Sequence, residues 1–100
     1  MQKSFNEKVW NACKRIPKGK VSTYAQIAKV IGSKNASRAV GNALNKNPFA
    51  PIVPCHRVVQ SNGSIGGFAD GTSKKISMLK KEGIEIKNNK INLNKFLFKF

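Results

Sequence analysis

One hundred residues, 40% of them apolar, allow one domain with a single modest core, so any function has to share that domain. Nineteen Lys and Arg against four Asp and Glu give a net charge of +15, an excess that points to a polyanionic partner, nucleic acid first, although a lysine-rich proteome would give the same composition. No apolar run approaches the roughly 20 residues of a bilayer span, and two cysteines and one histidine suit neither a zinc site without acidic ligands nor a disulfide framework.

Met1-Gln2-Lys3-Ser4 leads directly into a helix rather than a signal peptide, so the chain is expected to be soluble and intracellular. Ser4 and Glu7 have the spacing of a capping box, and the apolar stripe Phe5, Val9, Ala12, Cys13, Ile16 predicts a first helix that Pro17 stops. Cys13 belongs to that stripe and is assigned to the core. After the turn Pro17-Lys18-Gly19-Lys20, Thr23 and Gln26 offer a second capping box, and Tyr24 to Ile31 reads as a short helix ended by Gly32. Ala36, Ala39, Val40, Ala43 and Leu44 recur at helical spacing, with Ser37, Arg38, Asn42 and Asn45 toward the other face. Two short helices joined by a tight glycine turn make a helix-turn-helix whose second member is the recognition helix. Gly41 inside it costs about 1 kcal/mol against alanine, which suggests close approach of another backbone.

Asn47-Pro48 and Ala50-Pro51 break the chain, and Ile52 to Val59 reads as extended structure around Cys55. Ser61-Asn62-Gly63-Ser64 is a turn, and Gly66-Gly67-Phe68-Ala69-Asp70-Gly71 a loop that can move or lie against a ligand. A fourth helix is expected from Ser73 to Glu82, capped by Gly83. Ile84, Ile86, Ile91 and Leu93 around Asn88-Asn89 suggest a hairpin that works as a wing, and Phe96, Leu97, Phe98 and Phe100 a cover over the core. The fold class is therefore mainly α, a winged-helix-like helix-turn-helix domain with a few short β-strands, spanning residues 1–100.

Pro54-Cys55-His56-Arg57 carries the chemistry. It sets a thiol beside the only histidine of the chain, and a neighbouring imidazole or cation favours the nucleophilic thiolate. By itself the pair fits equally a buried structural cysteine next to a surface histidine.

Pro54-Cys55-His56-Arg57-Val58-Val59 looks like the active-site signature of the O6-alkylguanine-DNA alkyltransferases, also called methylated-DNA-protein-cysteine methyltransferases. Arg38-Ala39-Val40-Gly41 and Asn47-Pro48 look like that family's recognition helix and asparagine hinge. Tyr24, Ser61, Gly66, Gly67 and Glu82-Gly83 follow in the same order, so nearly the whole chain resembles the family's C-terminal catalytic domain. The resemblance implies a monomer, cytoplasmic or in a eukaryote nuclear, that repairs double-stranded DNA without cofactor or metal. It would move an alkyl group from O6-alkylguanine to its own Cys55, once and irreversibly. Cys55 is then the nucleophile, His56 takes the thiol proton through a water, and Glu82 orients the imidazole. Tyr24 donates its hydroxyl to the base and Asn47 braces the turn carrying the thiol.

Val58, Ser61, Gly67 and Phe68 are the substrate-binding residues by the same resemblance, and Arg38, Ser33, Ser37, Ala39, Gly41 and Asn42 contact DNA. Arg38 is the wedge that replaces the base rotated out of the stack, and the helix enters the minor groove, whose readout is nearly blind to sequence. Read without the resemblance, Arg38 is a phosphate contact, Tyr24 a core aromatic and Glu82 a solvated residue among lysines.

Three features depart from the family pattern. The N-terminal domain of many relatives is not expected here. Single-domain alkyltransferase-like proteins of this size carry tryptophan where this chain has Cys55, and flag lesions without repairing them. Phe68 stands where tyrosine is usual, which keeps an aromatic wall but removes a hydroxyl. A non-catalytic lesion-binding protein and a winged-helix transcription regulator are the competing readings, and Cys55 with His56, Asn47 and Glu82 favours transfer.

Overall fold

The computed structural model describes residues 4–49, 52–68 and 71–100. The Met1-Gln2-Lys3 lead, the break at Ala50-Pro51 and the Ala69-Asp70 part of the glycine loop lie outside the described residues.

Helix α1, Phe5–Lys14, starts where Ser4 Oγ accepts the Glu7 backbone N–H at 3.2 Å. The capping box closes differently from the sequence pattern, because Ser4 Oγ bonds the Glu7 carboxylate instead of the glutamate reaching back to the Ser4 backbone. The helix ends at Lys14, short of Ile16, yet Ile16 remains buried. Strand β1, Ser22–Thr23, runs into α2, Tyr24–Val30, whose first turn is capped by Thr23 Oγ1 accepting from Gln26 N at 3.0 Å. The Gln26 side chain does not complete a box either. It bonds Ser22 Oγ and donates to the Phe98 carbonyl at 2.8 Å, tying the helix to the C-terminal tail. Gly32, at φ +82°, turns the chain toward α3, Ser37–Asn45.

These three helices enclose one core, in which Val9, Cys13, Ile27 and Val40 are fully buried. Each such aliphatic side chain contributes about 1.5–3 kcal/mol relative to exposure. A second core holds Val21, Val59, Ile65, Leu79, Ile84, Ile91 and Phe96. Around it lie α4, Thr72–Lys81, and the hairpin of β3, Ile86–Lys87, and β4, Lys90–Ile91. The seam between the cores is a two-stranded parallel ladder of β1 with β2, Val58–Val59, in the register Ser22↔Val58 and Thr23↔Val59. Successive side chains of a strand point to opposite faces, so Val58 fills the first core and Val59 the second.

The expected wing is a tight hairpin. Asn88 and Asn89 take φ +52° and +59°, the left-handed pair that matches strand twist in a two-residue turn. Its strands stop at Ile91, and Leu93 begins a short helix α5, Leu93–Phe96, that the alternating pattern did not announce. Gly63 docks the wing on the preceding turn: it accepts from Ile91 N at 2.9 Å, has φ +88°, and a Cβ there would meet the Ile91 carbonyl at 2.5 Å. The tail does cover the core, and it also extends the ladder. Phe98 N donates to Val21 O at 2.8 Å, and Val21 N to Phe96 O at 2.9 Å.

One local expectation fails. Cys55–Arg57 is a single 3-10 turn rather than extended chain, closed by Arg57 N donating to Pro54 O at 2.9 Å. Within the protein Gly41 faces a side chain, since a Cβ there would meet the Tyr24 ring at an ordinary 3.8 Å. No helix among the described residues is long and apolar enough to cross a membrane.

Candidate active site and nucleic-acid interface

Asn47, just past the end of α3, holds the approach to the thiol. Its Nδ2 donates to the Val53 carbonyl at 2.9 Å while its Oδ1 accepts from Phe49 N at 2.8 Å, an arrangement only an amide side chain supplies. Val53 O also accepts from Cys55 N at 2.9 Å. Asn47 and Cys55 N thus share the Val53 carbonyl, which links the residue that the resemblance names as the brace to the turn carrying the thiol.

Cys55 is half-buried and opens onto a pocket of about 390 Å³. Tyr24, Gly67 and Phe68 form its walls, and Ser37, Arg38, Gly41 and Asn42 of α3 its rim. His56 is 2% exposed, and its Nε2 lies 3.0 Å from Glu82 Oε2. With Nε2 as the donor, Nδ1 is left as the base. Burial holds the imidazole below its ordinary pKa against the opposing hydrogen bond from Glu82, so the neutral, proton-accepting form prevails at neutral pH. Glu82 is the C-cap residue of α4, with Gly83 at φ +87° directly after it, so its side chain leaves the helix where the chain turns back toward the histidine.

Sequence reasoning gave Arg57 only the part of a cation beside the thiol, and no contact with Glu82. Its Nε and Nη2 grip the Glu82 carboxylate at 2.8 and 2.7 Å, and Nη1 donates to the Ile16 carbonyl at 2.8 Å, beyond the end of α1. Burial pushes the Glu82 pKa up, but the hydrogen bonds from Arg57 and His56 outweigh it and hold the carboxyl below its ordinary value. Glu82 thus stays ionised and fixed. No local pattern announces these contacts, which join residues 25 to 41 positions apart.

Tyr24 lies at the first position of α2 with its ring against Gly41 and its hydroxyl against Gly66, where a Cβ would come within 3.1 Å of the oxygen. Burial raises the phenol pKa, and the Cys55 charge raises it further, so Tyr24 keeps a proton to donate. Cys13 shows the opposite fate of a thiol. Fully buried, it is pushed up to about 12 and is inert at neutral pH.

Two of the residues that the resemblance names for substrate binding lie off the pocket lining. Ser61 is exposed and does not line the pocket, which Gln60 lines instead. Val58 is fully buried in the first core, so only its backbone can face a ligand. On the DNA side Arg38, Ala39 and Asn42 are exposed, and Ser37 and Gly41 half-buried. Ser33 sits in the turn before α3, where its carbonyl accepts from Ala36 N at 2.8 Å. Lys75 was missed altogether. It is fully buried beneath the pocket, and its spacing of four from Leu79 on α4 placed it on the inward face.

Residues 4–84 match the family model described as "6-O-methylguanine DNA methyltransferase, DNA binding domain". A Methanosarcina acetivorans protein named methylated-DNA–protein-cysteine methyltransferase is 56% identical over 79 residues, 79% of this chain and 51% of the relative. A Candida glabrata protein of the same name is 42% identical over 92 residues, 92% of this chain and 44% of the relative. The chain spans about half the length of the curated relatives it matches. Among solved structures, S. pombe Atl1 in complex with damaged DNA containing O6-carboxymethylguanine superposes with a TM-score of 0.88 at 35% identity, covering 100% of both chains. Mycobacterium tuberculosis OGT in complex with DNA gives 0.78 at 41% identity, over 82% of this chain and 51% of that one.

Proposed function

This chain belongs to the family of the 6-O-methylguanine DNA methyltransferase DNA-binding domain, and from that premise we propose that it is also the catalytic domain, which repairs DNA by taking an alkyl group from O6-alkylguanine onto Cys55. The carrying observation is the thiol at the pocket mouth beside a buried His56 held at 3.0 Å from Glu82. His56 removes the thiol proton through a water, and the thiolate attacks the alkyl carbon in line. The sulfur–carbon bond forms as the carbon–O6 bond breaks, leaving a thioether on the protein and a guanine anion in the pocket. Tyr24 donates a hydrogen bond to that anion, and the proton that left the thiol balances the one the guanine regains. The thioether does not turn over, so each molecule acts once and needs no cofactor.

Double-stranded DNA containing the lesion is the partner this reading requires. The +15 charge supports binding through counterion release, and the exposed face of α3 supports contact in the minor groove. Arg38, exposed where α3 lines the pocket, would fill the stack once the guanine rotates out, while Ser33, Ser37, Ala39, Gly41 and Asn42 would give a low contact face. Gly67, Phe68 and the Val58 backbone would hold the base. The cytoplasm, or a nucleus, is the compartment in which such a protein meets its substrate.

Mixing the protein with a duplex carrying one O6-methylguanine tests the reading by mass spectrometry. One methyl mass should appear on the peptide containing Cys55 and none on that containing Cys13. The end-to-end match to S. pombe Atl1 favours a second reading, lesion binding without transfer. The same mixture separates the two, because a bound duplex with its lesion intact and Cys55 unmodified supports binding alone.

A further inference from the structure

Lys75 is fully buried, and its Nζ donates to the Val58 carbonyl at 2.7 Å and the Gly67 carbonyl at 3.2 Å. Among the described residues no carboxylate lies within ion-pairing distance of it. The ammonium also faces the Tyr24 ring, 5.8 Å from its centroid. Burying a cation against neutral oxygens costs free energy that a leucine or methionine of similar size would not. What the charge connects explains its presence. Val58 opens the strand directly after Cys55–Arg57, and Gly67 belongs to the loop that walls the pocket opposite α3. The outer side of Gly67 is open, since a Cβ built there would meet nothing within 4 Å, and the Lys75 bond reaches the residue from the inner side.

We propose that Lys75 is a positioning residue of the transfer reaction, a buried strut that ties the Gly67–Phe68 wall to the strand behind the nucleophile and so fixes the slot in which the base sits. The proposal rests on the reading of Cys55 as the alkyl acceptor. Lys75 touches no reacting atom; it sets the distance between the groups that do. Misplacing one wall by about an ångström lowers the rate of an in-line displacement steeply while leaving the DNA-binding face of α3 unchanged.

Lys75→Met keeps the volume and removes both donated bonds. In single-turnover transfer from an O6-methylguanine duplex, the limiting rate should fall about tenfold to hundredfold while the half-saturating concentration stays within about twofold. Amide hydrogen exchange at Gly67 and Phe68 should quicken while that of α3 does not change. Lys75→Gln, which retains a donor, should fall between the two and replaces Lys75→Met if the latter does not fold. An unchanged limiting rate in a folded variant overturns the proposal. So does a rate loss matched by an equal loss of duplex affinity, which would mean general damage to the fold. Wild-type protein that leaves Cys55 unmethylated refutes the transfer reading and the catalytic role of the strut together, whereas active wild type with an equally active Lys75→Met refutes the strut alone.

Discussion

The half of the molecule built from α1, α2 and α3 rests on Val9, Cys13, Ile27, Val40 and their neighbours, and among the described residues it buries no side chain that is charged at neutral pH. The half built around β2 and α4 buries His56 and Lys75 and keeps Arg57 and Glu82 nearly covered. A surface that has only to touch a phosphate backbone can be carried on an apolar core, with its charges outside in water. Moving a proton and stabilising an anion need groups fixed where the local dielectric is low, and those groups have to be paired to survive there. The arginine fork on Glu82, with its third arm on the Ile16 carbonyl, is that pairing. The division predicts that variants in one half should damage chemistry and variants in the other should damage access to DNA.

The largest effect should come from breaking the relay. His56→Ala or Glu82→Gln should slow transfer by about a hundredfold to ten-thousandfold, the range for losing a positioned general base, with duplex affinity nearly intact. Burial holds the His56 pKa below its ordinary 6.5. The wild-type rate should therefore stay level as pH falls past that value and drop only at lower pH, where the imidazole takes up a proton. Alkaline solution should partly restore His56→Ala, since hydroxide can replace the missing base. Quenched single-turnover reactions across pH would show it, and normal rates in both variants would remove the relay from the mechanism.

A smaller loss, confined to the other half, should follow Arg38→Ala. Rotating a guanine out of the stack costs a few kcal/mol, and a wedge that offsets part of this should be worth about tenfold to hundredfold on duplex DNA. Transfer from a free alkylguanine base requires no flipping and should be untouched. Equal losses on both substrates would mean that Arg38, at the pocket rim, holds the site together instead of opening the helix.

The helices and the wing were legible because their signals are local. Ser4 and Thr23 cap helices where they stand, and Asn88-Asn89 turn a hairpin with neighbours alone. The thiol beside the only histidine marked Cys55 and His56, the resemblance added Glu82, and the structure brings His56 and Glu82 together although they are 26 residues apart. Long-range polar geometry was not legible. Arg57 reaches the end of α1 and Lys75 reaches two carbonyls on other segments, and no spacing rule encodes which backbone oxygen a long side chain will find. Cys55 was read as extended from the valines around it, but the Asn47 brace and Pro54 fold it into a 3-10 turn. Ser61 was placed by motif order, while the pocket is lined by its exposed neighbour Gln60, just past the end of β2.

The smallest effect tests whether the chemical half carries its buried charge at a cost. Burial brings the Lys75 pKa from 10.5 down to about 8, against a smaller opposing pull from Cys55. Between those values the folded protein has released a proton that the unfolded chain still holds. Unfolding then takes up a proton, so stability should rise with pH through the window, by at most about 1.4 kcal/mol per pH unit. Exposed lysines titrate alike in both states and cancel when the wild type is compared with Lys75→Met. Urea unfolding across the window should therefore show the wild type gaining on the variant as the solution becomes more alkaline. A difference that stays flat would mean that Lys75 holds its proton as firmly as an exposed lysine. The charge would then be no strain on the fold, and the contrast between the apolar half of α1, α2 and α3 and the half of β2 and α4 would rest on His56 and Glu82 alone.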